Sequence, residues 1–257
     1  MNTCIGVMIP TTYGREEALD WTIVHLLNYL KKPFSIYLYN DITAPLSNRL
    51  TKLIKRSKRK DVDFVVLNDR QELNSERVGA GGSRHYLFEA MKEKHDVIIS
   101  LDDDMQITPN WYENIEKAMN YFPNHSVFST GMKRPRGVKS IVGANMEFEG
   151  DLLIRKQLQT IYKKYQIADW GPLGCLVFCR KALEKDIKFP NIYTLDDEAF
   201  FLELKKRNIN QTIVVTDAVA IHRPIPTPSS NQRSDKWVAL SQQHLKKFYQ
   251  ITVKLKN

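Results

Sequence analysis

The feature that most constrains this chain is the alternation, through its first half, of short β-branched runs with amphipathic runs of helical period. Ile5–Pro10 reads as a buried strand closed by the turn Pro10-Thr-Thr-Tyr-Gly14, and Glu16–Leu30 sets Leu19, Ile23, Leu26, Leu27 and Leu30 at helical spacing. Phe34–Tyr39 alternates as a second strand ending at Asn40-Asp41. Leu46–Ser57 repeats the helix pattern, and Asp63–Leu67 is a third strand ending at Asn68-Asp69. Gly79–Glu93 opens on glycines and continues as a helix through Tyr86, Leu87, Ala90 and Met91. Val97–Leu101 is a fourth strand, and it stops at Asp102-Asp103-Asp104. This order predicts an α/β domain with a mostly parallel central sheet and helices on both faces. Ligands of such sheets bind outside the carboxyl ends of the strands. Ordinary turn chemistry explains one acidic or amide strand end; three on one edge mark a binding edge.

The second half is less regular. Val127–Met132 reads as a strand, Pro135–Ser140 as a basic loop and Leu152–Tyr165 as a helix. Trp170-Gly-Pro-Leu-Gly174 is a turn into the strand Cys175–Cys179. Thr194–Asn208 is a helix that opens on acids, and Thr212–Ile221 is a last strand before His222-Arg-Pro-Ile-Pro-Thr-Pro. Beyond Arg233, Trp237, Leu240, Leu245 and Phe248 mark a helix lying on the domain or on a membrane surface. No repeat or low-complexity linker divides the chain. One domain is the economical reading.

With 257 residues, 42% hydrophobic and 26% charged, the chain is neither disordered nor fibrous. No apolar run approaches the roughly 18 residues of a membrane span. The opening Met1-Asn2-Thr3-Cys4 has no basic segment followed by an apolar one, so no secretory leader is expected. Three cysteines make no disulfide framework, and Cys175 with Cys179 lacks two further zinc ligands. A cytoplasmic protein is the expectation. The net charge of +9 favours an anionic partner, a nucleotide or nucleic acid, as well as simple solubility. Arg49–Lys60 carries only positive charges, and the tail after Ile221 has Asp235 as its single acid.

Three adjacent carboxylates at the end of a buried strand repel one another, and a divalent cation between them relieves the cost. If the strand conformation persists, Asp102 and Asp104 share a face and can share Mg²⁺ or Mn²⁺; an exposed acidic turn is the alternative. Asp196-Asp197-Glu198 suits a helix N-terminus by charge alone, and equally suits a general base aimed into a cleft. His222 ends a strand before a proline-broken loop. It is either structural or a metal ligand.

Taken in order, Ile5-Gly-Val-Met-Ile-Pro-Thr-Thr-Tyr13, Tyr39-Asn-Asp41, Gly79-Ala-Gly-Gly-Ser-Arg84-His85, Leu101-Asp-Asp-Asp104, Trp170-Gly-Pro-Leu-Gly174, Leu195-Asp-Asp-Glu198 and His222 resemble the GT-A glycosyltransferases. The likeness is to the inverting family-2 group and spans about residues 3–223. It implies a Rossmann-like domain over 1–223, with a nucleotide-sugar half at about 1–105, an acceptor half at about 106–223, and a basic loop and helix over 224–257. It implies metal-dependent transfer of a sugar from a nucleotide-sugar, a UDP-sugar by preference, to a hydroxyl. Thr11 and Tyr13 would border the base, and Asp41 would hold uracil or ribose. Arg84, Asp102 and Asp103 would contact the donor. Asp104 and His222 would hold Mn²⁺ or Mg²⁺, and Trp170 with Gly171 would wall the acceptor site. Asp197 would be the base, with Asp196 and Glu198 left open because Asp196 replaces the usual Glu of the motif.

Rivals fit less well. A nucleotidyltransferase would place a Gly-rich basic loop directly after the first strand, and a dinucleotide-binding oxidoreductase would place Gly-x-Gly-x-x-Gly there; this chain has neither. Gly79-Ala-Gly-Gly lacks the Lys-Ser/Thr ending of a P-loop. A non-catalytic nucleic-acid-binding protein explains the charge but not the Asp triplet. A glycosyltransferase acting on a hydroxylated nucleic-acid base combines the two.

Overall fold

In a computed structural model the alternation becomes β1 (Ile5–Thr11), α1 (Glu16–Tyr29), β2 (Phe34–Asn40), α2 (Ser47–Ser57), β3 (Val62–Leu67), α3 (Gly79–Met91) and β4 (Val97–Leu101). There follow β5 (Met105–Ile107), α4 (Trp111–Tyr121), β6 (Val127–Lys133), β7 (Lys139–Ser140), β8 (Ala144–Glu149), β9 (Leu152–Gln157) and β10 (Tyr165–Ala168). The chain continues through β11 (Cys175–Cys179), α5 (Arg180–Leu183), α6 (Asp196–Lys206), β12 (Thr212–His222), α7 (Asp235–Tyr249) and β13 (Thr252–Val253). The structure describes residues 3–12, 14–41, 45–68, 78–133, 139–140, 143–158, 163–184, 186–192, 194–209, 211–224 and 235–253.

The main sheet runs β10-β12-β6-β11-β4-β1-β2-β3, with β5 and β7 added on β12 and β6. It is parallel through β4-β1-β2-β3, and β11 enters antiparallel between β4 and β6. Successive side chains of a strand face opposite ways, and both faces are covered. Ile5, Val7 and Ile9 join Ile36, Leu38, Ile99 and Leu101 under α1, α2 and α4. Met8, Tyr37, Ile98, Leu176 and Phe178 join the core under α3, α6 and α7. Burial on both sides is why these strands read as continuous apolar runs.

Among the described residues the helix expected over Leu152–Tyr165 is not formed: strand β9 occupies its first part and β10 begins at its last residue. Glu149 pairs with Leu152 across the two-residue turn Gly150-Asp151, and Gly150 takes a positive φ of 62°. That turn folds β9 back on β8 as a hairpin, and β13 extends the pair into a three-stranded sheet. The C-terminal helix rests on the domain. Leu245 and Ser241 are buried, and the Gln242 amide bonds both backbone groups of Val253. Part of the basic run is structural too: Arg49 pairs with Asp20, and Arg59 donates to the carbonyls of Leu30 and Lys32 beyond α1.

Phe178 is wholly buried, with rings of Phe88, Phe189 and Phe200 at 5.3–6.2 Å. Phe178→Ala is expected to cost about 3–5 kcal/mol, read as a lower urea midpoint at unchanged slope.

Candidate active site

β4 ends at Leu101, and the next residues turn rather than continue the strand: the Met105 N–H donates to the Asp102 carbonyl at 3.1 Å. β5 then runs antiparallel to the end of β12, with Met105 opposite His222, and the Arg223 N–H donates to the Asp104 carbonyl at 3.0 Å. Strand pairing thus brings His222 Nε2 to 3.4 Å from Asp104 Oδ1.

The three aspartates have different environments. Asp103 is buried; its carboxylate accepts from Thr11 Oγ1 at 2.8 Å and Arg15 Nε at 2.6 Å. Burial pushes its carboxyl up to about 6 although Arg15 opposes the rise. Asp104 is also buried. Its Oδ2 accepts from Arg15 at 2.5 Å, while Oδ1 is enclosed without a hydrogen bond and faces His222. Burial raises the Asp104 carboxyl, but His222 and Arg15 outweigh it and hold it below its ordinary value. Asp102 pairs with Arg84 and keeps 39% of its side chain open, which makes it the most exposed member of the triplet. Desolvation raises its pKa against the pull of Arg84.

Arg84 is 3% exposed and bridges two segments: one nitrogen donates to Asp102, another to Asp196 at the start of α6. α3 approaches α6 closely here because position 81 is glycine; a Cβ there would overlap the Ile192 carbonyl and crowd Asp196 Cβ. The three acids of α6 diverge. Asp196 goes to Arg84, and Glu198 to Arg155 at 2.7 Å. Asp197 Oδ1 accepts the Leu173 N–H at 3.0 Å, and among the described residues Asp197 forms no ion pair. Burial, then the charges of Asp196 and Glu198, push its carboxyl well above the usual carboxylate value.

The Asp41 carboxylate holds the start of α3, accepting from the Val78 and Gly79 N–H groups at 2.9 and 3.1 Å. The Thr11 hydroxyl, expected near the base, donates to Asp103. Trp170, expected in the acceptor wall, is 2% exposed and packed between Arg155 at 4.8 Å and Phe201 at 6.2 Å. Gly171 is buried with it, because a Cβ there would meet Ser129 Oγ at 2.6 Å. Tyr13, residues 134–138 of the basic loop and the proline-rich loop 225–230 lie outside the described residues. Sequence reasoning missed Arg15 and Arg155. Their only signals were a basic residue in the turn after β1 and one in a segment read as helix.

Among the described residues no three His, Cys, Asp or Glu side chains converge into a complete metal cage. The donor set nevertheless fits a hard divalent ion: an enclosed carboxylate oxygen without a hydrogen bond, an imidazole nitrogen beside it, and the nearby Asp102. Oxygen-rich partial sites of this kind leave positions for phosphate oxygens.

The family model described as glycosyl transferase family 2 matches residues 7–187. The chain belongs to glycosyl transferase family 2. The family match contains the Asp triplet, Arg84 and Trp170, whereas Asp197 and His222 lie beyond it and reach the site through α6 and β12. No curated protein matches the sequence. Solved structures share the fold. S. aureus TarS residues 1–349 with UDP-GlcNAc gives a TM-score of 0.60 at 16% identity, over 93% of this chain and 64% of that one. GalNAc-T7 with UDP, GalNAc and Mn²⁺ gives 0.62 at 15%, over 86% and 44%. S. aureus TarS itself gives 0.60 at 14%, over 94% and 39%. This family-2 chain therefore spans between about two-fifths and two-thirds of the structures it matches. At such identities the likeness establishes the GT-A fold. None of these names points to nucleic acid, and among the described residues no helix is long and apolar enough to cross a membrane.

Arg84→Met leaves Asp102 and Asp196 facing each other unpaired and is expected to cost about 3–5 kcal/mol. Adding Asp196→Asn should restore part of the loss, so that the two changes are not additive in urea unfolding.

Proposed function

We propose that this protein is a glycosyltransferase that moves a sugar from a UDP-sugar to a hydroxyl acceptor with inversion. One observation carries the reading: Arg84 links Asp102, on the donor edge of the sheet, to the α6 turn whose next acid, Asp197, stands outside any ion pair among the described residues. The family and the UDP-bound neighbours support the donor class.

Asp102 presents its open face to the donor, with Arg84 behind it. Asp41 sits at the carboxyl edge of β2, where it would hold uracil or ribose. Asp104 and His222 would hold Mn²⁺ or Mg²⁺, which when bound supplies positive charge to the departing diphosphate. Asp197 takes the acceptor proton as that oxygen attacks the anomeric carbon from the face opposite the leaving group. Its raised pKa makes it a stronger base than an exposed aspartate. Trp170 and Arg155 act behind this surface, by fixing Glu198 and the start of α6. Residues 1–105 form the donor half and 106–223 the acceptor half, with 224–257 as an appended segment. The unbridged thiols of Cys4, Cys175 and Cys179 suit a reducing, cytoplasmic setting.

The test is release of nucleoside diphosphate from UDP-, GDP- and dTDP-sugars, with and without Mn²⁺. Metal-dependent release from UDP-sugars is expected; a folded protein inert to every sugar nucleotide overturns the reading. Asp197→Asn should lower turnover about 10²–10⁴-fold while UDP affinity measured by calorimetry stays within about threefold, because the change removes proton transfer and leaves the donor edge intact. The base must be deprotonated, so activity rises with pH through its pKa. The rising limb of kcat against pH should therefore lie above the ordinary aspartate range.

A further inference from the structure

Arg15 is the cation nearest the candidate metal ligands, and no motif of the chain singles it out. Gly14, at φ 76°, turns the chain after β1, and Arg15 reaches back from the start of α1 to the triplet. Its guanidinium spans two carboxylates, taking Asp103 Oδ1 at 2.6 Å and Asp104 Oδ2 at 2.5 Å. It is 17% exposed and, as a guanidinium, is permanently charged. Burial alone would lower its pKa; Asp103 and Asp104 reverse that and raise it. Asp104 is therefore divided, with one oxygen held by a fixed positive charge and the other enclosed beside His222.

We propose that Arg15 is a positioning residue that makes metal binding depend on the donor diphosphate. The inference rests on the glycosyltransferase reading above. Without a nucleotide, Arg15 neutralises part of the charge a divalent ion would otherwise meet, and its own charge opposes the ion a few ångströms away. A nucleoside diphosphate adds negative charge that favours both cations. The ion is then held well only as its nucleotide complex. A second consequence follows from the bridge between the two acids: with Nε held on Asp103, Arg15 takes Oδ2 of Asp104 and so fixes which Asp104 oxygen faces His222, which a single ammonium does less well.

The experiment is Mn²⁺ binding to the full chain with and without UDP, measured by the electron paramagnetic resonance of free Mn²⁺, alongside thermal melts. In the wild type Mn²⁺ alone should bind weakly and shift the melting temperature little, while Mn²⁺ with UDP should bind and stabilise strongly. Arg15→Gln should tighten Mn²⁺ binding in the absence of UDP by about tenfold, and the gain in Mn²⁺ affinity caused by UDP should shrink. Arg15→Lys, which keeps the charge, should keep most of that gain. Equal loss of Mn²⁺ affinity with and without UDP in Arg15→Gln would mean a merely structural role and overturns the proposal. If Arg15→Gln does not fold, the wild-type melts decide, because stabilisation by Mn²⁺ alone as large as that with UDP overturns it. Wild type that binds neither UDP nor Mn²⁺ overturns the glycosyltransferase reading itself, a result distinct from intact UDP-linked binding that Arg15→Gln leaves unchanged.

Discussion

Burying carboxylates away from water costs several kcal/mol each unless they are paired, and this fold buries two, Asp103 and Asp104, at the end of its central strand beside a third, Asp102, that stays partly open. The surrounding architecture compensates them from two sides. Arg15 comes from the turn after β1 and holds Asp103 and Asp104, while Arg84 comes from α3 and holds Asp102. Thr11 adds a hydroxyl to Asp103 at 2.8 Å, and Thr22 donates to its backbone carbonyl at 2.9 Å. Removing Arg15 would leave two buried acids unpaired, and removing Arg84 would leave Asp196 and the more open Asp102 without their shared cation. The placement of β1, α1 and α3 around β4 is therefore tied to the chemistry of the triplet as much as to the apolar core beneath it.

Arg84 extends this compensation across the molecule. Its second pairing, to Asp196, connects the donor edge to the first turn of α6, where acids also oppose the positive end of the helix dipole. Glycines permit the closeness this needs. A Cβ at Gly81 would overlap the Ile192 carbonyl, and one at Gly174 would overlap the Asp102 carboxylate. The acids of α6 are then sorted by geometry: Asp196 and Glu198 are held by arginines, and Asp197 is left to a backbone N–H. Three adjacent acids of similar intrinsic strength thus acquire different roles from their surroundings.

The hairpin β8–β9 and the terminal segment β13–α7 complete the second face. Arg155 on β9 lies over Trp170 and reaches Glu198, so the hairpin supports α6 from behind. Trp170 belongs to this packing. An aromatic beside a glycine-rich turn was a reasonable candidate to stack on an acceptor. Its neighbours are set by β9, which carries Arg155 over the ring.

The sequence by itself determined the alternation of strands and helices, the acidic and amide residues at the carboxyl ends of β2, β3 and β4, and the family resemblance. These are local properties: periodicity, β-branching and the residues that end a strand. It missed the β8–β9 hairpin, because Gly150-Asp151 is a weak turn signal inside a segment that also fits helical spacing. The partners of the charged groups were decided by the tertiary structure alone. Asp104 meets His222 because β5 pairs with β12, and Asp102 meets Asp196 through Arg84 because α3 lies against α6. Such pairings join residues remote in the chain, and the energy of a buried charge depends on its distance to the next charge. No one-dimensional pattern records that distance.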